Sequence, residues 1–372
     1  MPLALFALTI SAFAIGTTEF VIVGLVPTIA QQLAISLPSA GMLVSIYALG
    51  VAIGAPVLTA LTGRLPRKQL LVALMVLFTA GNLLAWQAPG YMTLIVARLL
   101  TGLAHGVFFS IGSTIATSLV PKEKAASAIA IMFGGLTVAL VTGVPLGTFI
   151  GQHFGWRETF LAVSLLGVIA LMSSQLLIPT NIPGRAAASI RDQVKVLTHP
   201  RLLLIYAVTA LGYGGVFTAF TFLAPMMQDL AGFSPAAVSW ILLGYGVSVA
   251  IGNIWGGKLA DKHGAVPALK FIFAALFVLL MGIFAFGNVP GLQVYVVQKA
   301  EQFTPNAVDV ASGLNIAAFN IGIALGSVIG GQTVAHYGLA QTPWIGALIV
   351  LVAFLLMGVS GRLDKPVRIA LE

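Results

Sequence analysis

The sequence predicts an all-α, polytopic membrane protein built as two pseudo-symmetric six-helix bundles, and three observations carry that prediction. Hydrophobic residues make up 59% of the chain and charged residues only 8%, with a mean hydropathy of +1.05. A soluble domain of this length could not present such a surface to water, so lipid is the solvent. Apolar runs of about 20 residues, the length that crosses a hydrocarbon core, follow one another almost back to back. The two halves of the chain also repeat each other. Backbone polar groups in lipid must be satisfied internally, and runs this long fit helices rather than the roughly 10-residue alternating strands of a barrel.

Twelve spans are expected. The first six lie at about 3–32, 39–62, 69–88, 91–119, 125–150 and 158–178, which makes 1–178 an N-terminal bundle. A polar, basic connector runs over 179–201. Spans at about 202–229, 236–258, 267–281, 283–299, 308–334 and 342–361 place the C-terminal bundle in 202–372. No room is left for a soluble domain. The first thirty residues lack a basic start and carry Glu19 in mid-run, so they read as a first span and not as a cleaved signal.

The repeat is a matter of residue identity. Tyr47, Val51, Ala52, Ile53 and Gly54 recur as Tyr245, Val249, Ala250, Ile251 and Gly252 at an offset of 198, as does Pro27 at Pro225. Farther on, Gly102 and Gly106 match Gly287 and Gly291, and Ala126, Ser127 and Ile131 match Ala311, Ser312 and Ile316, now at an offset of 185. The second half is therefore short by the difference, 13 residues, between Asp261 and Gly287. That cramps one crossing, and the expectation is a segment missing near Met281 and Gly282.

The net charge of +8 marks topology and not a nucleic-acid partner, because the cations segregate. With the N-terminus inside, Arg64, Arg67, Lys68, Lys122, Lys124, Arg185, Arg191, Lys195, Arg201, Lys258, Lys262, Lys270, Lys299, Arg362, Lys365 and Arg368 fall in inner loops or the tail. The outer loops hold Arg157. This asymmetry predicts both termini on the cytoplasmic side of the cell's inner (plasma) membrane. The chain has no cysteine, hence no disulfide framework and no thiol metal site. No cofactor or metal is expected. The expected partners are a small-molecule substrate, protons and the bilayer, for a chain acting as a monomer.

Glu19 and Arg98 are the charged residues that fall clearly within spans. Burying either alone costs about 2.5–3.5 kcal/mol or more, so each needs a partner or a watery cavity, and one shared site is the simplest solution. Desolvation favours the neutral acid of Glu19, whereas Arg98 or entering water favours the carboxylate, and a carboxyl whose surroundings alternate can carry a proton. The alternative is a static ion pair clamping the first helix to the fourth. His105 follows Arg98 by seven residues on the same helix face, where it could act as relay or gate, or be a histidine hydrogen-bonded within the bundle. Asp309 reads as a helix cap at a membrane boundary.

Tyr213, Phe217 and Phe220 form a stripe on the seventh span, Asn315 and Phe319 share a face of the eleventh, and Asn288 and Gln293 add amides on the tenth. Facing a central cavity they would suit an amphipathic small molecule, while packing and lipid contact are the alternatives. Glycines recur every four residues, at Gly143, Gly147 and Gly151, at Gly322, Gly326 and Gly330, and at Gly102 and Gly106. Such rows let backbones pack closely, and their smooth faces would also let helices rock. No His-Glu-x-x-His metal motif, Gly-x-Ser-x-Gly elbow or Walker loop is present, so an intramembrane enzyme or an ATP-driven pump has no motif behind it.

These residues carry a family likeness over nearly the whole chain, which resembles the twelve-span drug:proton antiporters of the major facilitator superfamily, most closely the arabinose-efflux-like permeases. Thr17, Thr18, Glu19 and Phe20 look like that subgroup's first-helix acidic motif. Arg98, Gly102 and Gly106 are similar to the fourth-helix motif whose arginine is implicated in proton coupling. Gly143, Pro145 and Gly147 resemble the fifth-helix motif of exporters, with Val144 inserted in a Gly-Pro pair that is usually adjacent. Gly257, Leu259, Ala260, Asp261, Lys262 and Gly264 match the loop signature that braces the cytoplasmic gate. Its first-half copy departs from the pattern, with Gly63 in place of the aspartate and Pro66 in place of a glycine, but keeps Arg64, Arg67 and Lys68. The resemblance implies two six-helix bundles rocking about a central cavity. Gate or hinge roles then fall to Pro27, Gly143, Pro145, Gly147, Arg64, Arg67, Asp261 and Lys262. The implied function is export of a drug-like molecule or sugar in exchange for protons. Proton-coupled uptake of a sugar or other metabolite remains open, because the fold does not set direction.

Overall fold

The computed structural model describes residues 3–58, 61–62, 65–121, 125–180, 182, 190–263 and 281–364. Among them there are helices and turns and no strand. Helix α1 (Leu3–Gln32) is followed by α2 (Leu37–Ile53), which runs on through a π-helical turn at Gly54–Leu58. Next come α3 (Arg67–Trp86) and α4 (Tyr91–Ser118). Then α5 (Ala125–Val138) and α6 (Val144–Phe154) make one crossing, joined by a π turn at Ala139–Gly143, and α7 (Trp156–Leu177) ends the first half. The boundaries follow local chemistry. The Ser36 hydroxyl accepts from the Ser39 amide and Pro38 sits in the first turn of α2, both favourable at a helix start. Between α6 and α7 the chain reverses at Gly155, whose φ of 105° suits a residue without Cβ.

The second half comprises α9 (Pro200–Phe220), which continues through Leu223–Pro225 and a π turn at Met226–Leu230, then α10 (Pro235–His263), α11 (Met281–Phe303), α12 (Val308–Tyr337) and α13 (Thr342–Leu363). A short helix, α8 (Ile190–Thr198), precedes it. Every described span lies within a few residues of its expected position. Nine described stretches are long and apolar enough to cross a membrane, in α1 to α4, α5–α6, α7, α9, α12 and α13, and the shorter apolar stretch Pro235–Ile251 lies in α10. The expected ninth span, and with it the shortening before Met281, lies outside the described residues.

Three expectations change. The connector contains a helix, α8, where only polar linker was read. The gate signature does not start as a loop: Gly257 to Lys262 continue α10, because nothing in that stretch breaks a helix before Gly264. Asp309 is not the cap of α12, since Ala307 occupies the N-cap and the helix has begun at Val308.

Without water between helices, close backbone approach is what holds a membrane bundle together, and the glycine rows supply it. A Cβ on Gly322, Gly326 or Gly330 would lie 2.3, 2.1 or 2.4 Å from the carbonyl oxygens of Ala210, Gly214 and Thr218 on α9. The row at Gly143, Gly147 and Gly151 instead receives side chains of α1, those of Thr17, Val21 and Leu25.

The halves meet where α2 packs on α12 and where α5 and α6 pack on α10. One end of the molecule, the connector face, carries α8, whose trailing His199 stacks on Phe303 at 4.5 Å. At the opposite face the halves are joined: Ser45 Oγ donates to the Ala324 carbonyl (3.0 Å) and Ser239 Oγ to Gln152 Oε1 (3.1 Å). There the Phe222 ring also fills the space over Gly41.

Candidate functional site

Arg98 lies seven residues into α4 and is 1% exposed. A guanidinium offers five donors in a planar fork, and this one directs three of them to backbone. Nη1 donates to the Thr18 carbonyl (2.7 Å), Nη2 reaches the Glu19 carbonyl (3.5 Å) and Nε donates to the Leu43 carbonyl (3.3 Å). Its carbon sits 4.1 Å over the centre of the Tyr47 ring, a cation–π contact in a desolvated site. Arg98 thus fastens α4 to both α1 and α2. This differs in detail from the expected ion pair: the guanidinium binds the Glu19 backbone and acts on the carboxylate through space.

The nearest titratable side chain to the carboxylate is His105, with Glu19 Oε2 at 3.8 Å from Nδ1, too long for a hydrogen bond. Glu19 is 8% exposed, so it is dry without being sealed. His105 is buried against Phe109, ring centres 4.8 Å apart, and its Nδ1 lies 3.0 Å from the Tyr47 hydroxyl. Thr18 Oγ1 donates to Asn82 Oδ1 (2.6 Å), tying this part of α1 to α3.

Glu19 of α1 and the Arg98–His105 pair of α4, far apart in sequence, therefore share one site. The sequence reading missed Tyr47, which touches two of the three. Its signal lay in the pattern Arg98, Gly102, His105, Gly106, one stripe of α4. A Cβ on Gly102 would lie 2.2 Å from the Tyr47 carbonyl oxygen and one on Gly106 2.5 Å from that of Val51. The glycines press α2 onto α4, and Tyr47 is inserted between the arginine and the histidine.

Across the interface, α9 presents the aromatic stripe. Tyr213 stacks on Phe217 (5.8 Å) and meets Phe319 edge-on (4.6 Å), and Phe217 meets Phe220 edge-on (5.2 Å). Phe220 stacks on Tyr245 (5.0 Å), an aromatic the sequence reading used only for the repeat. The cluster reaches the first half through Phe20, 6.4 Å from Phe217, and through Tyr213, which lies within electrostatic range of the Glu19 carboxylate. Four candidate substrate contacts thus form one wall beside the Glu19 site.

The amides do not join that wall. Thr209 Oγ1 donates to Asn315 Oδ1 (2.8 Å), Asn315 Nδ2 to Gln293 Oε1 (3.0 Å) and Gln293 Nε2 to Ser312 Oγ (2.6 Å). Asn315 and Gln293 satisfy each other in a network joining α9, α11 and α12, as buried amides do when no ligand is needed. Asn288 is fully buried, with neither side-chain atom hydrogen-bonded. Of the candidate gate residues, Pro27 lies inside α1 and Pro145 begins α6 directly after a π turn, a common place for a helix to flex. Arg67 starts α3. Arg64 lies outside the described residues, as do the side chains of Asp261 and Lys262.

A second polar cluster stands on the connector face. Asp364, at the end of α13, pairs with Arg201 of α9, accepts from Lys299 of α11 (2.8 Å) and from the Tyr295 hydroxyl (2.6 Å). Partial burial alone would push its carboxyl up, but hydrogen bonds from Lys299 and Tyr295 and the charge of Arg201 hold it below the usual aspartate value of 3.8. Among the described residues there is no group of acidic and histidine side chains able to hold a metal ion.

Comparison with known proteins gives a consistent picture. The family model described as Major Facilitator Superfamily matches residues 8–298. The uncharacterized MFS-type transporter YtbD of Bacillus subtilis (strain 168) is 51% identical, over 98% of this chain and 97% of the relative. The inner membrane transport protein YdhP of Escherichia coli (strain K12) is 41% identical, over 96% of each. A crystal structure of a bacterial homolog of the human lysosomal transporter Spinster, inward-facing and unoccupied, superposes with a TM-score of 0.70 at 15% identity, covering 96% of this chain and 95% of that one.

Proposed function

The chain belongs to the Major Facilitator Superfamily and is a multi-pass membrane transporter and not an enzyme; on that premise we propose that it exports a small organic molecule in exchange for protons. One observation carries the reading: a nearly buried carboxyl, Glu19, stands beside a fixed cation and an aromatic wall that belongs to the other half of the molecule. Arg98 bonds to backbone through each of its three nitrogens, so it attracts the carboxylate without locking it in a bidentate pair. Glu19 is then free to take up and release a proton as its surroundings dry and wet, which a clamped ion pair could not do.

Exchange follows if proton and substrate use this region in turn. A substrate resting on Tyr213, Phe217 and Phe319 dries the space next to Glu19, and its arrival is coupled to the charge there through Phe20 and Tyr213. Rocking of the halves along α2/α12 and α5–α6/α10 would then expose the loaded site on one side at a time. The Lys and Arg distribution supports an orientation with the connector face and both termini in the cytoplasm of a cell whose inner membrane holds the protein, which we take to act as a monomer. On that orientation the joined face is the outer one, which is the arrangement an inward-facing conformation requires.

The test is transport by purified protein in vesicles carrying an imposed pH gradient, screened with lipophilic drugs and with sugars. Export by exchange predicts that an active substrate discharges a lumen-acid gradient while it accumulates inside. Substrate that moves in the same direction as protons would show symport, and substrate movement indifferent to the gradient would remove protons from the mechanism.

A further inference from the structure

Tyr47 has no place in the coupling scheme above, yet it is buried between the groups that scheme uses. Its ring lies under the Arg98 guanidinium at 4.1 Å, and its hydroxyl stands 3.0 Å from His105 Nδ1, the same nitrogen from which Glu19 Oε2 is 3.8 Å distant. One nitrogen thus has two suitors from two helices, and the tyrosine is the one within hydrogen-bond range. We propose that Tyr47 is a positioning residue of the proton site, whose hydroxyl occupies Nδ1 of His105 and so decides whether Glu19 can exchange a proton with that histidine. The inference rests on the proton-carrier reading of Glu19 for its purpose, but its geometry stands apart from it.

The direction of the hydrogen bond follows from the chemistry of the partners. A phenol donates better than it accepts, a neutral imidazole nitrogen is a strong acceptor, and a cation held over the ring draws electron density away and strengthens the O–H as a donor. Tyr47 therefore donates to Nδ1, and the proton of neutral His105 resides on Nε2. With its lone pair engaged, Nδ1 cannot accept a proton from Glu19, and with no hydrogen of its own it cannot donate to the carboxylate. This accounts for a carboxylate at 3.8 Å and not at hydrogen-bond distance. A transfer from Glu19 breaks its carboxyl O–H bond, forms an N–H bond at Nδ1, and requires the tyrosine to withdraw first.

The position of Tyr47 is built in. Its backbone carbonyl rests on Gly102 and the neighbouring turn of α2 rests on Gly106, so the ring is carried into the gap between Arg98 and His105 by the closest helix contact in that region. The charged and titratable groups around His105 are Glu19 from α1, Tyr47 from α2 and Arg98 from its own helix, with Tyr213 of α9 beyond the carboxylate. Phe109 packs against the ring, centres 4.8 Å apart, and offers no competing donor.

The experiment is nitrogen-15 spectroscopy of the histidine-labelled, full-length protein in lipid nanodiscs. The chain has five histidines, and His105→Gln identifies the signal of interest by its loss. In the wild type the proposal requires Nδ1 of His105 to be unprotonated and hydrogen-bonded, with Nε2 protonated. Tyr47→Phe keeps the ring under Arg98 and removes only the hydroxyl; the dominant tautomer should then change to Nδ1–H, facing Glu19. Adding Glu19→Ala to that variant should abolish the new preference. A protonated Nδ1 in the wild type overturns the proposal whether or not any variant folds, and so does an Nδ1 signal unmoved by Tyr47→Phe. None of these readouts depends on transport, so a Glu19 that proves not to carry protons would defeat the proposed function while leaving the tautomer result to stand or fall alone.

Discussion

Replacing Gly102 by alanine adds one methyl group where the structure has no room for it. The new Cβ would lie 2.2 Å from the Tyr47 carbonyl oxygen, 3.1 Å from its carbon and 3.2 Å from Gly50 Cα. These are backbone atoms, so no side chain can swing aside. Relieving the closest contact requires α2 and α4 to part by about 1 Å, and overpacking of that kind costs about 1–3 kcal/mol. The same parting would draw the Tyr47 hydroxyl off His105 Nδ1, because Tyr47 is the residue being pushed. Gly134 provides the control, since a Cβ there meets nothing within 4 Å. In a helix, glycine to alanine without a clash is neutral or stabilising by up to about 1 kcal/mol. Reversible unfolding in mixed micelles would measure both variants. Equal stabilities for Gly102→Ala and Gly134→Ala would refute the claim that close α2–α4 contact sets the geometry of the site.

Two further outcomes follow from the hydrogen bonds. Thr18→Val removes the donor to Asn82 and leaves a buried amide oxygen unpaired; interhelical bonds of this type in membranes are worth about 0.6–2 kcal/mol, and the same unfolding assay should show a loss in that range. Asp364→Asn removes the charge that gathers Arg201 and Lys299. Because the folded state holds this carboxyl below its usual value of 3.8, its contribution is present at neutral pH and disappears as pH falls through and below that value. The thermal midpoints of wild type and variant in detergent should therefore differ at pH 7 and converge as the acid limit is approached. A constant difference across the range would show that the aspartate acts by shape alone.

The helices were legible because lipid leaves a chain few options. Apolar runs such as 158–178 and 342–361 could be nothing but crossings, and the structure moves their ends by only a few residues. Glu19 and Arg98 were legible for the same reason, since a charge within a span must have a use or a partner. What lay beyond the sequence was geometry between helices. Whether Arg98 grips a carboxylate or a carbonyl depends on how far α1 is rotated, and nothing in Thr18-Glu19 records that rotation. Asn315 and Gln293 carry the same amide whether they face a ligand or each other, and only packing of α11 on α12 distinguishes the cases. Tyr47 was hidden because its partners come from another helix, though the Gly102 and Gly106 pair marked the place of contact. Asp364 was hidden similarly: Arg201 and Lys299 read as topology until α9, α11 and α13 were seen to end together.

The most direct trial is to record proton movement through vesicles containing either the wild type or Glu19→Gln, with a substrate found in the screen. The glutamine keeps the shape of the side chain and cannot ionise. In the wild type, substrate should drive a change in luminal pH; in the variant that change should vanish, while substrate still equilibrates down its own gradient. Substrate-driven proton flux of wild-type size through Glu19→Gln would contradict the proposal that this carboxyl couples the two movements.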